Sequence, residues 1–263
     1  MNQSSYSMKI EFGSLVRGSD KDKEGQNYQS EIKSMMYACG DVRNPNKASS
    51  IYLEQIVYAH IKTLLDKSYE ISRLRGSKQV GIEDIVFVLR RNPCRVKKLS
   101  NYIVFKDVRN RVNKEVVALN AAKEAKLSYS WLPRNIYDKA NELKDRLYAI
   151  DRMTENMSKE EYLDFTECRQ ASFTFRKIKR FKDFLGTDYK LKDEVVDILG
   201  FVACEVIFDI VSIASEISAR KNKGQSEQAP VEGMFKEKSM KVPITIPDID
   251  EACRLLKEQG VIY

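Results

Sequence analysis

One histidine, five cysteines and several rows of charged side chains are the residues of this chain whose types could do chemistry. The single imidazole, His60, excludes a His-rich metal site and leaves one candidate for acid or base work near neutral pH. It falls in the helical row Ile56, His60, Leu64, which predicts a core histidine rather than a catalytic base. Cys39, Cys94, Cys168, Cys204 and Cys253 are an odd set with no two closer than 36 residues. That spacing fits neither a disulfide framework nor a zinc ribbon, so reduced thiols inside a cell are expected. Cys39 and Cys204 lie on helical apolar rows and are expected to pack rather than react. No phosphate-binding loop, dinucleotide-binding glycine pattern or nucleophile elbow occurs. The residues therefore predict no enzyme, no metal site and no cofactor.

Charge offers two other kinds of chemistry. On a helix turning about 100° per residue, Glu194, Glu205 and Glu216 recur every eleven positions with a drift of only about 20°. Asp209 follows one turn after Glu205, and Asp197 and Ile198 belong to the same arc. The arc faces away from Leu199, Val206, Ile210 and Ile217, so it is expected on the outside. There an apolar residue among acids would suit a protein contact, while a solvated face is the plainer reading. Five of the seven residues from Arg176 to Lys182 are basic, including Arg176, Lys177, Lys179 and Arg180. Five of nine are basic between Arg90 and Lys98. With a net charge of +7, such clusters would grip duplex DNA weakly, in a salt-dependent and sequence-blind way. Alternatively they are solvated faces or contacts within an acidic assembly, since stacking aromatics are not interleaved with them.

The elements that must position these groups are helical. A length of 263 residues allows about two domains, and 11 glycines with 6 prolines leave few tight turns. An internal repeat sets the architecture. At an offset of 146, Ile32, Met35, Cys39 and Gly40 meet Ile178, Phe181, Leu185 and Gly186. At the same offset Ile56, His60, Ile61, Leu64 and Leu65 meet Val202, Val206, Ile207, Ile210 and Val211. Val80, Ile82, Asp84 and Ile85 match Ile244, Ile246, Asp248 and Ile249 at an offset of 164, so the second copy carries an insertion of 18 residues. Each copy reads as a short helix, a long helix and a final short helix, the outline of a histone fold. Helices are predicted at Tyr28–Cys39, Ser49–Leu74 and Ile82–Arg91, and again at Phe173–Leu185, Leu191–Ala219 and Pro247–Gln259.

The expected fold class is thus all-α, with two tandem histone folds pairing head to tail within one chain. Residues 1–27 are expected to be a flexible terminus, 28–92 the first fold, 93–172 a helical extension and connector, and 173–263 the second fold, with a solvated loop at about 220–243. In the connector, a helix over Asn92–Leu127 is expected to pack back on the first copy, another runs from about Arg134 to Met153, and Ser158 with Glu161 forms a capping box opening a third. Ile56, His60 and Leu64 would meet Val206 and Ile210 in the pair's core. Asp84 is expected to bind Arg75 or Lys78, and Asp248 to bind Lys241. The apolar stretch Val195–Ile217 is long enough to span a bilayer, but its four acids would cost on the order of 10 kcal/mol there, so a buried helix and no membrane contact are expected. The amino-terminal residues show no signal-peptide pattern.

The segments MMYACGDVRNP (35–45), LRGSKQVGIEDIVFVLRRNP (74–93), MSKEEYLDFTECRQASFTFRK (157–177) and VVDILGFVACEVI (195–207) resemble the "suppressor of Ty, three" family, the double-histone-fold subunit of the SAGA coactivator. The resemblance covers about residues 28–260, and the connector motif is its most specific part. It implies a non-enzymatic nuclear transcription factor, bound to other SAGA subunits, that engages the TATA-binding protein and helps deliver it to promoters. It also likens the first copy to one TFIID histone-fold subunit and the second to that subunit's partner. Since the family's second fold is implicated in holding the TATA-binding protein, whose surface is largely basic, the resemblance points to Glu205 first, then Asp209 and Asp197, with Ile198 among them. A passive scaffold is the third reading.

Overall fold

The computed structural model describes residues 27–114, 142–226 and 241–261, with side chains at 27–106, 146–222 and 241–261. The expected amino-terminal tail up to residue 26, the connector stretches 115–127 and 134–141, and 227–240 of the expected loop lie outside the described residues. Among the described residues every regular element is an α-helix. A short–long–short series, α1 (Gln29–Ala38), α2 (Lys47–Leu74) and α3 (Ile82–Leu89), is followed by α4 (Pro93–Lys114), α5 (Glu142–Thr154) and α6 (Lys159–Arg169). The series then recurs as α7 (Ile178–Leu185), α8 (Asp193–Ser226) and α9 (Ile246–Glu258).

Local chemistry sets the helix ends. Asn46 caps α2 by accepting the Ala48 N–H at 2.9 Å. At α6 the Glu161 N–H donates to Ser158 Oγ (3.2 Å) and the Ser158 N–H to the Glu161 carboxylate (2.8 Å), a reciprocal capping box. The last helices of both halves open alike, with Asp84 accepting the Gly81 N–H at 2.7 Å and Asp248 the Thr245 N–H at 3.1 Å. Arg75 closes on Asp84 through two hydrogen bonds, at 3.1 and 2.8 Å. The partner of Asp248 is Lys221 at 2.5 Å, not Lys241. The reason is that α8 continues to Ser226, through the start of the expected loop, and carries Lys221 within reach of α9. Gly186 ends α7 in the left-handed region at φ 54°, which a side chain would disfavour.

One core runs through both halves. α1 and α2 pack against α8, α2 also meets α9, and α7 lies along α8. Leu53, Val57, Ile61, Leu64 and Leu65 of α2 are buried in the same cluster as Val195, Leu199, Val202, Val206, Ile210 and Ala214 of α8. Each large side chain so buried contributes about 1.5–3 kcal/mol. His60 is buried beside them, and Ile56 is half-buried against the core. α8 is long and apolar enough to cross a membrane, yet its apolar positions are filled by α1, α2, α7 and α9.

Polar contacts bind each half's loops to the other. Asp41, after α1, accepts the Ile244 N–H at 3.1 Å, and Ser49 donates to the Ile244 carbonyl at 2.8 Å. Tyr189, after α7, stacks on Tyr69 of α2 with centroids 4.4 Å apart. Where α1 and α7 begin, Tyr28 packs against Phe173, Phe181 and Phe184, and its hydroxyl donates to the Phe173 carbonyl at 3.2 Å. The connector docks on both halves. α6 lies on α1, where Phe165 meets Tyr37 edge-on and Asp164 receives the Arg43 guanidinium. α4 does not merely pack back on the first half as expected; it contacts α3 and also crosses α8.

Candidate partner-binding surface

The acids of α8 do not form an exposed arc. α4 runs antiparallel to α8 and covers them in register: Arg95 binds Asp209 (2.5 Å), Lys98 binds Glu205 (3.2 Å), Tyr102 stacks on Phe201 (4.3 Å), and Lys106 binds Asp197 (2.6 Å). From the other side α5 presents Arg146, whose two terminal nitrogens bind the two Glu205 oxygens at 2.8 and 3.0 Å while its guanidinium lies over Phe208. Asp197 also accepts from the Tyr102 and Thr174 hydroxyls. Glu205 is 6% exposed and Ile198 only 2%. The expectation that Glu205, Asp209, Asp197 and Ile198 form an outward-facing contact is therefore corrected, because the connector binds the three acids and Ile198 belongs to the hydrophobic core. Of the eleven-residue stripe, Glu194 and Glu216 remain exposed.

Electrostatics follow the geometry. Burial pushes the Glu205 carboxyl up, but the Arg146 and Lys98 cations outweigh it and leave it below the usual carboxylate range. At Asp209 burial prevails over Lys98 and Arg95, and the carboxyl lies above its usual range. Asp197 is held low, as hydrogen bonds from Lys106, Tyr102 and Thr174 overcome its burial. Burial, reinforced by the Arg95 and Lys67 charges, takes His60 down to about 3, a neutral imidazole through the physiological range. Burial raises the Cys39 and Cys204 thiols to about 12, well away from nucleophilic reactivity. Among the described residues no group of His, Cys, Asp and Glu side chains could hold a metal ion.

The proposed phosphate cluster is split in two. Lys177 (2.5 Å) and Arg180 (2.9 Å) both bind buried Glu31 of α1, and Arg180 also lies over the Tyr28 ring. Arg176 and Lys179 are exposed. Beside Arg176 stands Phe175, 64% exposed, an aromatic that the sequence reading did not count. Arg95 and Lys98 of the other basic cluster belong to the ladder on α8. Sequence reasoning also missed Arg146 and the ladder itself. Its signal was there to find: positions 95, 98, 102 and 106 share one helical face and oppose 209, 205, 201 and 197 in reverse order.

Residues 26–118 match the family described as "Transcription initiation factor IID, 18kD subunit". The chain is 28% identical over 257 residues to the SAGA complex subunit SPT3 of Saccharomyces cerevisiae, covering 76% of each protein. It is 27% identical over 232 residues to SAGA complex subunit Spt3 of Schizosaccharomyces pombe, again covering 76% of each. Over 87 residues it is 30% identical to the human transcription initiation factor TFIID subunit 13, covering 33% of this chain and 68% of that one.

Proposed function

Because the chain belongs to the Spt3 family of SAGA subunits, which are transcription-factor subunits and not enzymes, we propose that it is a nuclear coactivator subunit that binds the TATA-binding protein and helps deliver it to RNA polymerase II promoters. The observation that carries this reading is that similarity to the SAGA subunits extends through the connector into the second half, whereas the match to the TFIID 18 kDa subunit family ends at residue 118. In the same reading the second half is itself a histone fold, paired head to tail with the first inside one chain. The reciprocal seating of loops and the single shared core support that pairing. Other SAGA subunits are the remaining partners. Direct duplex DNA contact has less support, since Lys177 and Arg180 spend their charge on Glu31.

Burial changes the role assigned to the acidic residues. Glu205, Asp209 and Asp197 would act on the TATA-binding protein by fixing α4 and α5 against α8, with Ile198 packed beneath. The test is a titration of the purified chain, wild type and Glu205→Lys, with labelled TATA-binding protein and with labelled duplex DNA at low and physiological salt. Reversal places a third cation against Lys98 and Arg146, so α5 should lift away and affinity for the TATA-binding protein should fall about tenfold or more, with weak DNA binding unchanged. Circular dichroism must show both chains folded. A folded Glu205→Lys chain with undiminished affinity would remove the acidic face from the mechanism, and no binding by wild type would remove the direct interaction.

A further inference from the structure

A cleft of about 720 Å³ opens where the first turn of α4, α5, α8 and the end of α9 converge. Its walls are apolar, with Phe208, Ile213 and Leu256 along them. Its charge is positive, because Arg91, Arg95, Lys98 and Arg146 line it against two carboxylates, Asp209 in the lining and Glu205 behind Lys98 and Arg146. Arg95 is the deepest of these. Only 3% exposed, it gives one terminal nitrogen to Asp209 at 2.5 Å, while the other, Nη1, is buried with no hydrogen-bond partner among the described residues. Buried guanidinium donors are normally satisfied, so an unmet one beside an open, cationic cleft marks a place for an acceptor that comes from elsewhere.

We propose that this cleft binds an acidic and apolar peptide segment of a protein partner, whose carboxylate is received by Arg95 and Arg91 and whose neighbouring aliphatic side chain lodges against Phe208 and Ile213. Charge complementarity selects a carboxylate-bearing occupant. The apolar walls select a peptide over a nucleic-acid backbone, which brings phosphate but no aliphatic group to fill them. A largely basic surface such as that of the TATA-binding protein would be repelled here, so the cleft serves a different partner and stands apart from the function proposed above.

The probe is a fluorescein-labelled decapeptide carrying Glu-Leu-Glu-Leu between Gly-Ser flanks, titrated onto the full chain by fluorescence anisotropy beside its glutamine counterpart and inorganic phosphate. Exposed Cys94 lines the same cleft, so its rate of alkylation by iodoacetamide reports occupancy independently. The glutamate peptide should bind about tenfold more tightly than the glutamine one and should slow alkylation of Cys94. Arg91→Gln, at an exposed position, and Arg95→Lys, which keeps the charge but loses the second nitrogen, should each weaken binding severalfold with circular dichroism unchanged. Equal binding of both peptides, no binding, unprotected Cys94, or folded variants with wild-type affinity would each overturn the proposal. So would phosphate competing as well as the peptide, which would make the cleft an anion site without peptide recognition.

Discussion

His60 occupies the place in α2 that Val206 fills in α8, and its burial makes it a pH-dependent element of stability rather than a reagent. The folded chain holds this imidazole neutral down to about 3, whereas an unfolded chain protonates it near 6.5. Below about pH 6.5 the unfolded state therefore binds a proton that the folded state refuses. Stability falls as pH drops through that window, with a limiting slope of about 1.4 kcal/mol per pH unit for one group. Between pH 7.0 and 5.5 the wild type should lose about 1 kcal/mol that a His60→Leu chain keeps, read from urea midpoints at the two values. The carboxylates are common to both chains and cancel in the comparison. Equal pH dependence of the two chains would show that His60 binds its proton as readily in the fold as in the unfolded chain.

At the scale of elements, α8 illustrates what a sequence can and cannot reveal. Its apolar face, its partnership with α2 and the capping box of α6 were legible, because periodicity and caps are local signals. The fate of its acidic face was not. A helical wheel separates two faces without naming the neighbour of either, and the basic residues of α4 were read as a solvated face, a contact within an acidic assembly or a grip on phosphate, not as the cover of α8. The continuation of α8 past Ala219 was missed for a related reason: its last turns are polar, and periodicity falls silent where no face is buried. Gly200 tests how closely this layer is packed. In an exposed helix Gly→Ala stabilises by about 1 kcal/mol, but a Cβ on buried Gly200 would run into the Thr174 methyl. That threonine's hydroxyl donates to Asp197 at 2.9 Å. Gly200→Ala should therefore destabilise by about 1–3 kcal/mol in urea unfolding, and adding Thr174→Ser, which removes the obstructing methyl, should recover much of the loss. A higher midpoint for Gly200→Ala alone would mean that the helix–loop contact is loose.

At the scale of the molecule, two copies in one chain can differ where they meet themselves. Glu31 and Lys177 are separated by 146 residues, the offset of the repeat, so they occupy equivalent positions in the two halves, and they bind each other at 2.5 Å. Two identical first halves would instead bring Glu31 against Glu31, with both carboxylates buried and no cation between them. The pair therefore favours unlike halves over like ones, while the high effective concentration that a shared backbone supplies favours the internal partner over a second chain. Lys177→Glu should destabilise by about 2–3 kcal/mol, less than an isolated buried charge would, because Arg180 still reaches Glu31 at 2.9 Å. Glu31→Lys should cost at least as much, since it faces two cations. Both changes together exchange the signs and should restore at least half of the loss, a coupling that a double-mutant cycle in urea measures directly. The same experiment, repeated across a hundredfold range of protein concentration, probes the pairing itself. Intramolecular pairing requires a wild-type midpoint independent of concentration, whereas a midpoint that climbs with concentration would mean that the two long helices find their partners in separate chains.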